Sequence, residues 1–187
     1  MMKDIAIKDK ITLKALENAP FDGWGMGALC RAATECGQTA QMAEALFADG
    51  PRGASRHVAE LFDRRMMAQL KNVDTAKMKV RERIALAVMT RLDLMAPYRA
   101  GLQVALTRPS VTCLWRSADK IWIWAGDTAT DYNHYTKRGL LAGVMASTML
   151  YWLQDSSPRY TATRDFLARR IENVLSIGRI LGKKKAA

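Results

Sequence analysis

The sequence predicts an all-α protein of about nine helices. Three observations carry that reading. Apolar residues recur at helical spacing along most of the chain. No stretch alternates apolar and polar residues as a half-buried strand would. Clusters of Gly, Pro, Asp and Ser interrupt the pattern at intervals that fit helix lengths.

The N-terminal third reads as three short helices. Lys8 to Asn18 places Ile11 and Ala15 on one face. Phe21-Asp22-Gly23-Trp24-Gly25 is a turn. Gly27 to Cys36 follows with Leu29, Ala32 and Ala33 inward. Gly37-Gln38-Thr39 is a tight turn, and Thr39 can cap a third helix that runs to Phe47. Asp49-Gly50-Pro51-Arg52-Gly53 is expected to break the chain. The spacing outlines a helix-turn-helix module. A DNA reader needs Arg, Lys or amide side chains aimed at bases and phosphates. The third helix, Thr39-Ala40-Gln41-Met42-Ala43-Glu44-Ala45-Leu46, has no cation, and Glu44 repels phosphate. A retained scaffold is therefore favoured over DNA binding.

Longer helices follow. Arg56 to Lys71 carries Val58, Leu61, Phe62, Met66 and Leu70 at helical spacing. Asp74 can cap a helix from Ala76 to Met95, whose basic first half (Lys77, Lys79, Arg81, Arg83) reads as a solvated face. Pro97 ends or kinks it. Tyr98 to Leu106 is a short helix, Arg108-Pro109-Ser110 a break, and Val111 to Ala125 a helix with Leu114, Trp115, Ala118, Ile121 and Trp122 in one stripe.

The stretch from Ile121 to Pro158 organises the rest. Gly126 offers the positive φ that a helix C-terminus favours, and Asp131 can cap the next helix. The apolar run Gly139 to Leu153 is a buried helix, and Gln154-Asp155-Ser156-Ser157-Pro158 stops it. Gly139 and Gly143, with Ala142, Ala146 and Ser147 nearby, suit close helix packing or a dimer seam. Tyr160 to Leu181 is the last helix, and Gly182 to Ala187 a basic tail.

The balance of residues narrows the function. A net charge of +11 and pI near 9.9 favour phosphate, on nucleic acid or on anionic lipid. Cys30, Cys36 and Cys113 have neither disulfide nor zinc spacing, and His57 and His134 are too few for most metal sites. No secretion signal follows Met1, and the longest uncharged run, Gly139 to Gln154, is below the roughly 20 residues of a membrane span. Asp127 and Asp131 straddle a turn with no His or second acid in a hydrolase-like pattern, and a Glu-x-x-His di-iron motif is absent. No metal or cofactor is expected, and no enzyme activity. Eleven methionines suit either irregular core or an apolar pocket.

The string Gly126-Asp127, Asp131-Tyr132-Asn133, Tyr135-Thr136-Lys137-Arg138, then Gln154-Asp155-Ser156-Ser157-Pro158, resembles the signature of the ubiquinone-biosynthesis accessory proteins, the ninth member of the Coq series. Weaker matches are Thr90-Arg91-Leu92 with Pro97-Tyr98, and Asp165-Phe166-Leu167 with Arg170-Ile171-Glu172-Asn173. The resemblance spans roughly the C-terminal half, and two long strings in order make it specific. It implies a tetracycline-repressor-like fold with a degenerate helix-turn-helix, a homodimer through the last long helices, and a non-catalytic lipid-binding role in assisting a late hydroxylation.

Under that resemblance the chain divides into a degenerate module, 1–52, and a lipid-binding and dimerisation domain, 53–187. The implied ligand is an isoprenoid quinone precursor or phospholipid. Its tunnel would be lined by some of Met66, Leu70, Leu86, Met89, Leu102, Leu114, Trp122 and Met145. The implied contact with the partner hydroxylase is Asp127, Asn133, His134, Tyr135, Lys137 and Arg138. His134 departs from the eukaryotic pattern, which has Trp there. The family's C-terminal amphipathic helix is not expected, because the chain stops soon after Leu181. Attachment to a membrane would then rest on Lys183 to Lys185 and the Arg-rich faces. The implied location is peripheral on the inner face of a bacterial membrane, or the matrix side in a mitochondrion. The rival is a tetracycline-repressor-type transcriptional regulator.

Overall fold

The computed structural model describes residues 2–106, 110–128 and 132–184, with side chains for 4–106, 110–128 and 134–174. The expected break at Arg108-Pro109, the cap Asp131 and the end of the basic tail lie outside the described residues, as do the side chains of Asn133, Lys183 and Lys184. Every regular element among the described residues is helical. They are α1 (Met2–Asp22), α2 (Met26–Glu35), α3 (Ala40–Leu46), α4 (Gly50–Leu70), α5 (Val80–Met95), α6 (Arg99–Ala105), α7 (Val111–Trp124), α8 (Tyr132–Trp152) and α9 (Thr161–Lys184). Single 3-10 turns at Ala96–Tyr98 and Pro158–Tyr160 lead into α6 and α9. The chain forms two compact units, 1–65 with 94–113, and 66–93 with 114–187. The division expected at residue 52 falls inside α4, so compactness does not follow it.

In the first unit α1 packs on α2, α3 and α6. Ile11, Ala15, Leu29, Ala32, Ala33, Ala43, Phe47 and Ala54 form its core. Small residues dominate, so the backbones come close. At Gly101 of α6 a Cβ would sit 1.8 Å from the Leu16 carbonyl oxygen of α1. The α2–α3 turn follows local chemistry. Gly37 takes φ 75°, and the Gly37 and Gln38 amides close the end of α2 on the Thr34 and Ala33 carbonyls. Thr39 Oγ1 accepts from the Met42 amide at 3.1 Å and starts α3.

Two boundaries differ from the sequence expectation. The break at Asp49–Gly53 is shorter than expected, since α4 begins at Gly50, which takes φ 62°. Pro51 lies in the first turn, where its missing N–H has no intrahelical partner to lose. In the second unit α5 begins at Val80 rather than Ala76. Asp74 Oδ1 accepts from the Ala76 amide and holds a turn. The start of α5 is set by Glu82, whose carboxylate accepts from the Lys79 amide at 2.9 Å.

The rest of the second unit is organised by α8 and α9, which pack on each other. Tyr151 of α8 stacks on Phe166 of α9 with centroids 4.5 Å apart. Two ion pairs tie α9 to α5, Arg81 to Glu172 and Arg164 to Asp93, both 2.9 Å. Asp155 anchors the corner between α8 and α9. Its Oδ1 accepts from the Ser157 amide (2.7 Å), and its Oδ2 from the Thr163 amide (2.9 Å) and hydroxyl (2.5 Å). Ser157 Oγ accepts from the Ala162 amide. The Asp-Ser-Ser-Pro string is therefore a stop for one helix and a cap for the next. The turn bends so sharply that Arg159 and Tyr160 adopt φ 52° and 56°.

Candidate functional site

The second unit carries a shallow groove of about 490 Å³ along α7 and the start of α8. It is lined by Asp119, Ile123, Asp127, Thr128, His134, Tyr135 and Arg138. Four of the six residues named for partner contact line it: Asp127, His134, Tyr135 and Arg138.

Their roles divide by burial. The side chains of Arg138 and Asp127 are only 2% and 5% exposed. Arg138 donates from Nε to Asp119 at 2.6 Å, and from Nη1 to Asp127 at 2.9 Å and the His134 carbonyl at 3.2 Å. Burial works against its charge, but the hydrogen bonds to Asp119 and Asp127 outweigh that and hold its pKa above the ordinary value. Lys137 donates to the other oxygen of Asp127 at 2.6 Å and lies over the Trp122 ring. The Trp122 indole N–H donates to the Lys137 carbonyl at 3.0 Å. Asp127 and Arg138 thus form the groove's floor, and Lys137 and Trp122 behind it help to join Asp127 and the end of α7 to the start of α8. What they leave for a visitor is Tyr135, 63% exposed, and Ile123, 59% exposed. Tyr135 packs against Trp115 (6.2 Å) and edge-on to His134 (5.1 Å).

Residues not singled out from the sequence complete the site. Asp119 is the second carboxylate on Arg138. Arg83 was read with a solvated face, yet it is half-buried and each of its three guanidinium nitrogens donates to a backbone carbonyl. It donates to the Thr75, Met78 and Ala125 carbonyls at 2.9, 3.1 and 3.0 Å. Ala125 directly follows α7 and precedes Gly126, which takes φ 94° beside the Arg83 guanidinium. Helical spacing marks residues 115, 119 and 123 as one face of α7, which was the available signal for Asp119.

Seven of the eight residues named for a lipid belong to the second unit and Leu102 to the first. Met66, Leu70, Met89, Leu102 and Met145 are buried, while Leu86, Leu114 and Trp122 keep partial exposure. No group of three or more His, Cys, Asp and Glu is placed to hold a metal among the described residues.

Comparison with known proteins agrees with the motifs. Residues 107–178 match the COQ9 family model. The mitochondrial ubiquinone biosynthesis protein COQ9 of Rattus norvegicus is 31% identical over 188 residues, covering 92% of this chain and 60% of that protein. COQ9 of Homo sapiens is 29% identical over 92% of this chain and 58% of its own length. The chain therefore spans about three fifths of the length of these relatives. Among solved structures, a TetR transcriptional regulator from Nitrosomonas europaea superposes with a TM-score of 0.68 at 21% identity, over 91% of this chain and 98% of that one. The fold is tetracycline-repressor-like.

Proposed function

We propose that the chain belongs to the COQ9 family, a relative of which aligns over 92% of its length, and that it serves ubiquinone biosynthesis without itself being a catalyst. In this reading it holds an isoprenoid quinone intermediate and offers it to a hydroxylase at a membrane surface. A polyprenyl chain is insoluble in water. A protein that buries part of one lowers the free energy of lifting its headgroup towards an enzyme. The observation that carries the reading is the groove. It lies in the family-matched segment, its floor is fixed by buried Arg138 bridging buried Asp127 and the part-exposed Asp119, and it presents Tyr135 and Ile123 outward. A rigid floor under exposed aromatic and aliphatic side chains is the anatomy of a protein-docking site.

Supporting features are weaker singly. Leu86, Leu114 and Trp122 are partly open, with buried Met89 and Met145 in the same unit, which suits a flexible apolar lining. Gly143 on α8 is exposed with nothing within 4 Å of a Cβ, and Leu150 (51%) and Tyr151 (39%) are exposed on the same helix, which suits a second copy. No described helix is long and apolar enough to cross a membrane, so contact with one would be peripheral. The outward residues of α3 are Gln41, Met42, Glu44 and Ala45, a poor surface for duplex DNA.

Two measurements test the proposal. Mass spectrometry of lipid co-purified with the protein should find a prenylated quinone precursor. Capture of the hydroxylase should be lost in Tyr135→Ala with the fold intact. A lipid-free protein that binds operator DNA tightly would overturn the reading in favour of a transcriptional regulator.

A further inference from the structure

The loop between α4 and α5 and the first turn of α5, residues 71–83, hold five cations and two acids: Lys71, Lys77, Lys79, Arg81 and Arg83 against Asp74 and Glu82. The structure sorts these charges. Arg83 is turned inward on three carbonyls, and Arg81 is paired with Glu172. Both acids face backbone: Asp74 accepts from the Ala76 amide and Glu82 from the Lys79 amide. Lys71, Lys77 and Lys79 are exposed, and none meets a carboxylate among the described residues. Val80, between Lys79 and Arg81, is 47% exposed.

Three free ammonium groups around an outward aliphatic side chain match the face of an anionic bilayer, where cations meet phosphate and a short apolar group enters the headgroup layer. Duplex DNA would use the cations but leave Val80 without a partner. We infer that this loop is the surface by which the protein rests on anionic lipid. The inference rests on the reading that the chain works at a membrane, and adds which face meets it. The consequence for that reading is geometric. Arg83 joins the loop to Ala125 at 3.0 Å, and Asp127 of the groove lies two residues further on. A bilayer against the loop would therefore have the groove at its edge, where a membrane-bound enzyme can reach it.

The test is co-sedimentation of the full chain with vesicles of phosphatidylcholine alone or mixed with phosphatidylglycerol. The protein should bind only the mixed vesicles, and less so as salt rises. The triple variant Lys71→Gln/Lys77→Gln/Lys79→Gln should lose about fivefold per lysine, or roughly a hundredfold in all. An equal loss of charge elsewhere, Lys10→Gln/Arg52→Gln/Arg65→Gln, should have little effect. Val80→Asp should also weaken binding, and an acid in the first turn of α5 does not threaten the fold. Wild-type binding that survives both loop variants overturns the inference and leaves the membrane reading standing. Wild-type protein that ignores mixed vesicles overturns both. Loop variants that lose duplex DNA in a gel shift while keeping vesicles would also overturn the inference.

Discussion

Asp155 shows what a single motif residue does. Burial pushes its carboxyl pKa up, but the donors of Ser157 and Thr163 outweigh that and hold it at about 2. An unfolded aspartate titrates near 3.9, so the folded state binds its proton less readily. The resulting stabilisation, about 2–3 kcal/mol, is fully present above about pH 4 and is lost as the pH falls towards 2. Urea titrations from pH 5 down to pH 2.5 should show this slope in the wild type, at about these values, and a smaller one in Asp155→Ala. At pH 7 that variant should lose about 2 kcal/mol through the missing caps. Arg138 makes the opposite case, since its role was not legible locally. A sequence shows a cation beside an aspartate-rich turn, not that this cation is buried with Asp119 and Asp127 converging on it. Arg138→Ala leaves Asp127 in its buried place with Lys137 as its remaining cation, and should cost about 3 kcal/mol in denaturant. Asp119→Asn, at a side chain 36% exposed, should cost about 1 kcal/mol or less.

Among elements, two helical glycines separate packing from openness. A methyl at Gly101 would meet the Leu16 carbonyl oxygen at 1.8 Å, with backbone on both sides and nothing flexible to yield. Gly101→Ala should force α1 and α6 apart and lower the thermal midpoint severely, or abolish folding. Gly143 meets nothing within 4 Å. Gly143→Ala should stabilise the single chain by about 0.5–1 kcal/mol through helix propensity, while sedimentation should show weaker self-association if α8 is the dimer seam. The helix ends that the sequence revealed are those set by neighbours in the chain: Thr39 before α3, Gly37 after α2, Gly126 after α7, Pro97 after α5. Those it missed depend on choices between rival local signals. Asp74 and Glu82 both offer caps, and only the fold shows that Glu82 sets the start of α5. Arg83 escaped because its carbonyl partner Ala125 lies 42 residues away.

For the molecule as a whole, helical periodicity was enough for the class, and the rare strings around residues 126–138 and 154–158 were enough to point to the COQ9 proteins that the chain resembles. The groove was legible as a list of residues but not as an arrangement: the list mixed those that hold the floor, Asp127 and Arg138, with those that face outward. The lipid reading makes a global prediction. A ligand that binds only the folded state stabilises it by mass action, by about 2.7 kcal/mol at a hundred times its dissociation constant. A prenylated quinone precursor delivered in mild detergent should therefore raise the unfolding midpoint by roughly 5–10 °C. The same detergent with a headgroup lacking its prenyl tail should leave it unchanged.

The corner after Pro158 has a practical corollary. Arg159 is exposed and left-handed, a backbone state that β-carbons resist by about 1 kcal/mol or more. Asparagine tolerates that geometry far better, so Arg159→Asn is a ready means of toughening the protein against heat without touching the groove. Tyr160 shares the conformation, but its ring lies edge-on to Trp152 at 5.9 Å, so the same exchange there would trade relaxed backbone for lost aromatic packing.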